Sequence, residues 1–408
     1  MHNRETKPQG MALCRTAGLL ALIMLLGSGA ALAQSNTRMI LSSGGGVPGR
    51  QGFVFGPFSN LAMNNSGQIV FLTRLRGSKA DVRAVVRSAG VSFEVVAFEG
   101  LKAPVSGTSY ATFSAPSLND SGQIAFAATL NDETPVSAVI RIGNEGARAV
   151  ASTRMSVPER PDTPFVEFSA PVVTSAGNVV FGARYGGKQP GSGLFLWTER
   201  GVTPVPLPAG LVLKSSDLLV PGYARFDEAI FTPRGSPSDA ATEQIFRTIA
   251  NQNFEELKSS LKATDVEEVL APRIGEAPIR FVFVLAGGDR IQTALLTGEP
   301  TSAIKARKTA KSPPVRLARI QGQTAGPRGN VIVAAAPQKN PSDLALYCYC
   351  EGELVRLTSP EEFLPVTELA GGRPITSIAS DGRRTVTFIA PAETGSDASS
   401  IFVVSIPQ

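Results

Sequence analysis

"SLNDSGQIAF" at residues 117–126 returns as "AMNNSGQIVF" at 62–71 and, more loosely, as "VVTSAGNVVF" at 172–181. How these three words are read decides the fold. Their glycines fall at 67, 122 and 177, two equal steps of 55 residues. Phe71, Phe126 and Phe181 keep that interval, as do Phe58, Phe113 and Phe168, each followed by serine. Three independent markers in step define an internal repeat, and a period of this length points to a repeat architecture.

Each copy reads as four short strands: "TFSAPSL", the turn "NDSG", "QIAFAATL", then "SAVIRI", the turn "GNEG" and "ARAVAS". The strand–turn–strand second half recurs at 84–98, 193–207, 244–258, 292–306 and 344–358, with a helical alternative for the end of 244–258. The last copy, 383–406, stops one strand short, while a spare strand, "TRMILSS", stands at 37–43. Pairing the two accounts for both ends. The expected architecture is therefore all-β: a β-propeller of seven four-stranded blades closed by the N-terminal strand, a ring that leaves few free edges. The copies are anchored near Gly67, Gly122, Gly177, Gly235, Gly275, Gly329 and Gly382. Blades are expected at roughly 50–100, 101–152, 153–207, 208–259, 260–307, 308–359 and 360–406 with 37–43, the boundaries between 208 and 320 being soft.

The repeated word reads as a structural turn. A type I turn favours Asn at its first position and Gly at its fourth, which assigns Asn64 with Gly67, Asn119 with Gly122, and Gly177. Phe126 is expected to pack between adjacent copies. As calcium ligands the turns carry too few carboxylates, since only Asp120 and Asp381 recur and "TSAG" has none.

"NNSGQIVF" and "NDSGQIAF" resemble the N-x-x-G-x-x-x-F tandem repeat of secreted bacterial propeller-like proteins. That resemblance covers three copies and implies export and a propeller, with no catalytic residue carried over. A more distant likeness is to TolB-type and sialidase-type propellers. The 55-residue copy is longer than the TolB repeat, the sialidase aromatic box is absent, and Trp197 stands alone where quinoprotein propellers are tryptophan-rich.

The first 33 residues look like a secretory leader: Arg4, Lys7 and Arg15, an apolar run from Leu19 to Leu26, and small residues ending at Ala31-Leu32-Ala33. Cleavage is expected before Gln34. The apolar run is short of the ~20 residues that a membrane span needs, and Cys14 precedes the run where a lipidated cysteine would follow it. The 39 basic and 34 acidic residues then become 36 and 33, which leaves no charge footprint for nucleic acid. His2, the single histidine, is lost with the leader. Ser-His-Asp catalysis, Cys-His catalysis and histidine-bearing zinc sites are thereby excluded. Cys348 and Cys350 remain, as a local disulfide favoured by an oxidising compartment, as two inert thiols, or as a metal or redox site, for which a lone C-x-C without histidine is a weak signal.

Candidate ligand-binding residues sit in the long connections between copies: Tyr110, Arg154, Arg160, Lys214 and Tyr223. Arg87, Arg141 and Arg247 occupy matching strand ends and read as outward-facing solubilising residues. The basic segment 304–319 reads as a solvated loop. No nucleophile–base pair, catalytic residue, metal or cofactor is assigned. The expected function is a monomeric, non-enzymatic binding or scaffolding module, periplasmic or secreted. Its partner would be an envelope protein or a glycan, with no nucleic acid and no transmembrane anchor after cleavage. The competing readings are a carboxylate-dependent hydrolase or lyase acting on polysaccharide, and a structural envelope component.

Overall fold

The computed structural model describes residues 37–206 except 79, 90 and 91. Beyond these it describes 218–225, 228–234, 246–249, 255–256, 266–270, 280–285, 290–295, 300–305, 317–325, 331–337, 345–350, 353–358, 375, 377–381, 384–391 and 398–406. The anchors Gly235, Gly275, Gly329 and Gly382, and the leader, lie outside the described residues.

The chain is all-β. Among the described residues its strands form seven antiparallel sheets, and no helix is present, the end of 244–258 supplying the strand Glu255–Glu256. The first sheet runs Phe53–Met63, Ile69–Gly77, Asp81–Ala89, Ser92–Phe98. The second runs Ser109–Phe113, Ile124–Asn131, Val136–Gly143, Gly146–Ser152, with Ser117–Leu118 beside its second strand. The third starts with Ser156–Val157 and continues through Arg160–Phe168, Val179–Tyr185, Gly191–Thr198 and Gly201–Val205, with Val172–Val173 alongside. Three four-stranded meanders follow, beginning at Leu218, Val266 and Leu317. In the seventh sheet, Ser377–Ser380, Thr385–Pro391 and Ser399–Ser405 are joined by Arg38–Ser42, which pairs with Ser399–Ser405.

The inner strand, which carries the first marker phenylalanine of each copy, is continuous in the first sheet and broken in the second and third. Leu61 of the first sheet becomes Pro116 and Pro171 in the next two copies, and a proline has no N–H for the ladder. The serine after each marker phenylalanine repairs the break: Ser114 Oγ accepts from the Ala127 amide and Ser169 Oγ from the Gly182 amide, each at 2.9 Å.

The two phenylalanine markers meet within each sheet. Phe58 and Phe71 are 5.3 Å apart, Phe113 and Phe126 5.5 Å, and Phe168 and Phe181 5.7 Å, all edge to face, a geometry worth about 0.5–1.5 kcal/mol beyond burial. The second member of each pair is buried against the preceding sheet. Phe126 shares a core with Val70 and Val85, Phe181 with Ala125 and Val139, and Phe71 with Ala379, Ile389 and Ile401 of the seventh sheet. The sixth and seventh sheets likewise share Leu346, Cys348, Val386 and Phe388.

The N-terminal strand departs from simple alternation. Plain strand alternation would put Met39 and Leu41 on one face, but a bulge falls between them. Met39 is 54% exposed, while Ile40 and Leu41 both pack against the core shared by the first and seventh sheets. A bulge inserts one residue and so shifts the side-chain alternation by one.

Candidate functional site

The repeated turn closes as its sequence requires. The Gly67, Gly122 and Gly177 amides donate to the carbonyls of Asn64, Asn119 and Thr174 at 2.9–3.0 Å, and the glycines have φ of 77°, 76° and 82°. Asn119 Oδ1 accepts from the Ser121 and Gln123 amides, and Asp381 fills this role in the seventh sheet. The turn also has a lateral function that its sequence does not announce. Asn64 Nδ2 donates to the Asn119 carbonyl, and Asn119 Nδ2 to the Thr174 carbonyl, so each turn is tied to the next sheet. Beside the first tie, Asp120 accepts from the backbone and side-chain amides of Asn65 at 2.9 Å each.

Arg87 and Arg141 belong to the same system. Arg87 Nη1 donates to the Gly122 carbonyl and Arg141 Nε to the Gly177 carbonyl, each at 3.0 Å. Arg141 is only 5% exposed, lies 5.5 Å over the Trp197 ring and pairs with Glu145. These arginines are therefore sheet-to-sheet ties and not solubilising residues; the Arg247 side chain lies outside the described residues.

The five loop residues do not share one setting. Tyr110, expected in a loop, lies on the strand Ser109–Phe113, is 1% exposed, and its ring stands 5.4 Å from Phe113 and 6.1 Å from Phe126. It is a core residue, and burial pushes its phenol well above the usual range. Arg154 holds the loops of two sheets together, donating to the Ser106 carbonyl at 2.8 Å and pairing with Asp132. Arg160 opens a strand with its guanidinium 5.6 Å over the Tyr185 ring. Tyr223 lies on the strand Leu218–Arg225 opposite Ile230, beside a bulge, and its side chain is outside the described residues, as is all of Lys214. Cys348 is fully buried and disulfide-bonded; the Cys350 side chain is outside the described residues. Among the described residues no cluster of three or more His, Cys, Asp or Glu could hold a metal.

Among the described residues a polar concavity lies between the first sheet and the inner strand of the second. This open crevice has a volume of about 550 Å³ and is lined by Arg74, Arg76, Arg83, Asp81, Leu72 and Phe113, among others. Its origin is visible in the register. On one face of the first sheet the cross-strand pairs are Val70–Arg87, Leu72–Val85, Arg74–Arg83 and Arg76–Asp81. Toward one end of that face, Val70, Leu72 and Val85 pack into the core shared with the second sheet, with Arg87 tied to the Gly122 carbonyl beside them. Toward the other end, Arg74, Arg83, Arg76 and Asp81 make it charged and open a crevice with Leu72 and Phe113 as its apolar wall. Arg83 is steadied by its Nη1 donation to the Ala111 carbonyl at 3.4 Å and by its amide donation to Glu99 at 3.2 Å.

Two arginines directly opposite each other on adjacent strands repel. The third sheet avoids this: Arg184, at the repeat position of Arg74, faces Ser192 and pairs with Glu167 of its inner strand. The first sheet has Pro57 where the third has Glu167. Among the described residues no ion pair involves Arg74, Arg76 or Arg83. These residues were not among those expected from sequence, although the run Val70, Leu72, Arg74, Arg76 at alternate positions carries the signal.

Residues 30–207 match the model of a family described as a family of unknown function (DUF7453). No curated protein matches the chain. Among solved structures it is similar to the β-propeller domain of the Trilobed protease from Pyrococcus furiosus, at 10% identity and TM-score 0.49, covering 86% of this chain and 95% of that one. It is also similar to virginiamycin B lyase from Staphylococcus aureus, at 14% identity and TM-score 0.46, covering 91% and 99%. A protein of unknown function from Dyadobacter fermentans matches at 10% identity and TM-score 0.41, covering 91% and 100%. Likenesses this low carry no activity, substrate or partner across to this chain.

Proposed function

We propose that residues 34–408 are a single exported β-propeller of seven blades, closed by the strand near the N-terminus, that works by binding rather than catalysis in the periplasm or outside the cell. Closure is supported by the pairing of Arg38–Ser42 with Ser399–Ser405 and by the core that the first and seventh sheets share. Export rests on the leader-like first 33 residues. A local Cys348–Cys350 bridge would suit that compartment.

The observation that carries the binding reading is the crevice between the first two sheets. Three guanidiniums without ion pairs among the described residues stand there on a rigid strand pair, an arrangement a protein maintains at a cost unless something anionic occupies it. An arginine side chain holds oxyanions well through its planar fork of N–H donors.

The test is a glycan array probed with the purified chain at low and high salt. The expected result is saturable, salt-sensitive capture with the arrayed glycans left intact. Cleavage of the glycans would contradict the non-enzymatic reading and favour a hydrolase or lyase. Absence of capture from every charged glycan would leave a protein partner as the surviving form of the proposal, read out by cross-linking in an envelope extract.

A further inference from the structure

We infer that the crevice of Arg74, Arg76 and Arg83 is a binding site for the carboxylate of an acidic saccharide, a uronate-bearing glycan. This rests on the binding reading above and names its ligand class. The geometry of the guanidinium pair comes first. Arg74 and Arg83 are direct cross-strand neighbours, so their side chains emerge about 5 Å apart on one face. Two planar forks at that separation can share a single carboxylate, each offering parallel N–H donors. The repulsion that disfavours them in the empty site becomes affinity once a negative charge lies between them.

Local charge then selects among oxyanions. Against three guanidiniums stand Asp81, opposite Arg76, and Glu99, which accepts the Arg83 amide. The remaining balance is one positive charge, which suits the single charge of one uronate carboxylate held at the arginine pair and would leave a phosphate dianion there over-charged beside Asp81. The rest of the lining suits a sugar. Asp81 accepts hydroxyl donors, and Ser59, unlike Ser114 and Ser169, does not cap a strand amide within its own sheet and lines the crevice. Phe113 and Leu72 supply an apolar wall for the C–H face of a pyranose ring. The volume of about 550 Å³ accommodates a short oligosaccharide segment.

The third sheet provides an internal control. Arg184 occupies the same repeat position but is already paired with Glu167, so it should contribute nothing.

The experiment is calorimetric titration of the purified chain with trigalacturonate, with the fully methyl-esterified trisaccharide and with inorganic phosphate. The variants Arg74→Gln, Arg83→Gln and Arg184→Gln are compared, with circular dichroism showing each is folded. Trigalacturonate should bind saturably, and the ester, which keeps the sugar and loses the charge, about tenfold or more weaker. Arg74→Gln and Arg83→Gln should each weaken trigalacturonate by about tenfold or more, and Arg184→Gln should match the parent. Absence of trigalacturonate binding, equal binding of the ester, or indifference to Arg74→Gln would overturn the inference. Phosphate binding as tightly as trigalacturonate would overturn the saccharide assignment. Array capture of other glycans that survives Arg74→Gln would overturn this site and leave the binding reading standing.

Discussion

The side-chain amide of Asn119 donates to the backbone carbonyl of Thr174 at 2.8 Å, across 55 residues and into the next sheet. Its carboxamide oxygen meanwhile caps its own turn through the Ser121 and Gln123 amides. One side chain thus fixes a turn and its neighbour at once. Asn119→Asp separates the two roles, because the carboxylate keeps the acceptor and loses the donor. It also sets a negative charge against a carbonyl oxygen at a buried position. Urea denaturation should show a loss of about 1–3 kcal/mol. Stability equal to the parent would mean that the lateral bond contributes nothing.

The glycine that follows is constrained twice. Gly122 has φ of 76°, and a Cβ there would stand 3.2 Å from Gln68 Oε1 of the preceding sheet. Gln68 Oε1 is itself held by the Asn64 amide at 2.8 Å. Gly122→Val should therefore cost roughly 1–3 kcal/mol more than Ser121→Ala. Equal melting temperatures for the two variants would refute the turn assignment.

Much of the first three sheets was legible in the sequence because their markers are local. A turn needs Asn and Gly three residues apart, and the phenylalanines repeat in step with it. The lateral bonds were not legible, since an asparagine opening a turn reads the same whether or not its amide meets a neighbour's carbonyl. Arg141 was misread for a related reason: a strand-end arginine is solvated unless the next sheet offers an acceptor, and that acceptor lies 36 residues away. Tyr110 reads as a loop aromatic because it follows a Gly- and Ser-rich connection, but it lies on an inner strand three residues before Phe113 and packs against it. The crevice depends on Arg74 facing Arg83, which only the hairpin register determines.

Tyr110 offers a stability test of its own. Its hydroxyl is buried and meets no hydrogen-bond partner among the described residues. Removing an unsatisfied polar group relieves its desolvation cost. Tyr110→Phe should leave the urea midpoint unchanged or raise it. A loss of more than about 1 kcal/mol would mean that the hydroxyl is satisfied.

Asp132 tests the tie made by Arg154. The hydrogen bond from Arg154, with the Glu133 amide behind it, holds the Asp132 carboxyl below its ordinary value. A depressed folded-state pKa contributes stability above the unfolded value that is lost as pH falls through the folded one. Carboxyl NMR titration should place Asp132 below an ordinary aspartate, and Arg154→Ala should move it upward. An unmoved titration would dissolve the tie.

The central claim is that the sheets form a ring closed by the strand near the N-terminus. The Phe58 and Leu61 amides of the first sheet donate to Ser399 Oγ and Ser377 Oγ of the seventh at 2.8 and 3.0 Å. Native-state hydrogen exchange of the chain, compared with a variant lacking residues 34–43, measures that closure directly. A closed ring predicts that the deletion lowers protection of Phe58, Leu61 and Val173 together, by one cooperative opening, because removing the strand exposes the Ser399–Ser405 edge. Protection lost only at the seventh sheet, with Val173 unchanged and the protein still a soluble monomer, would contradict the ring and favour an open array.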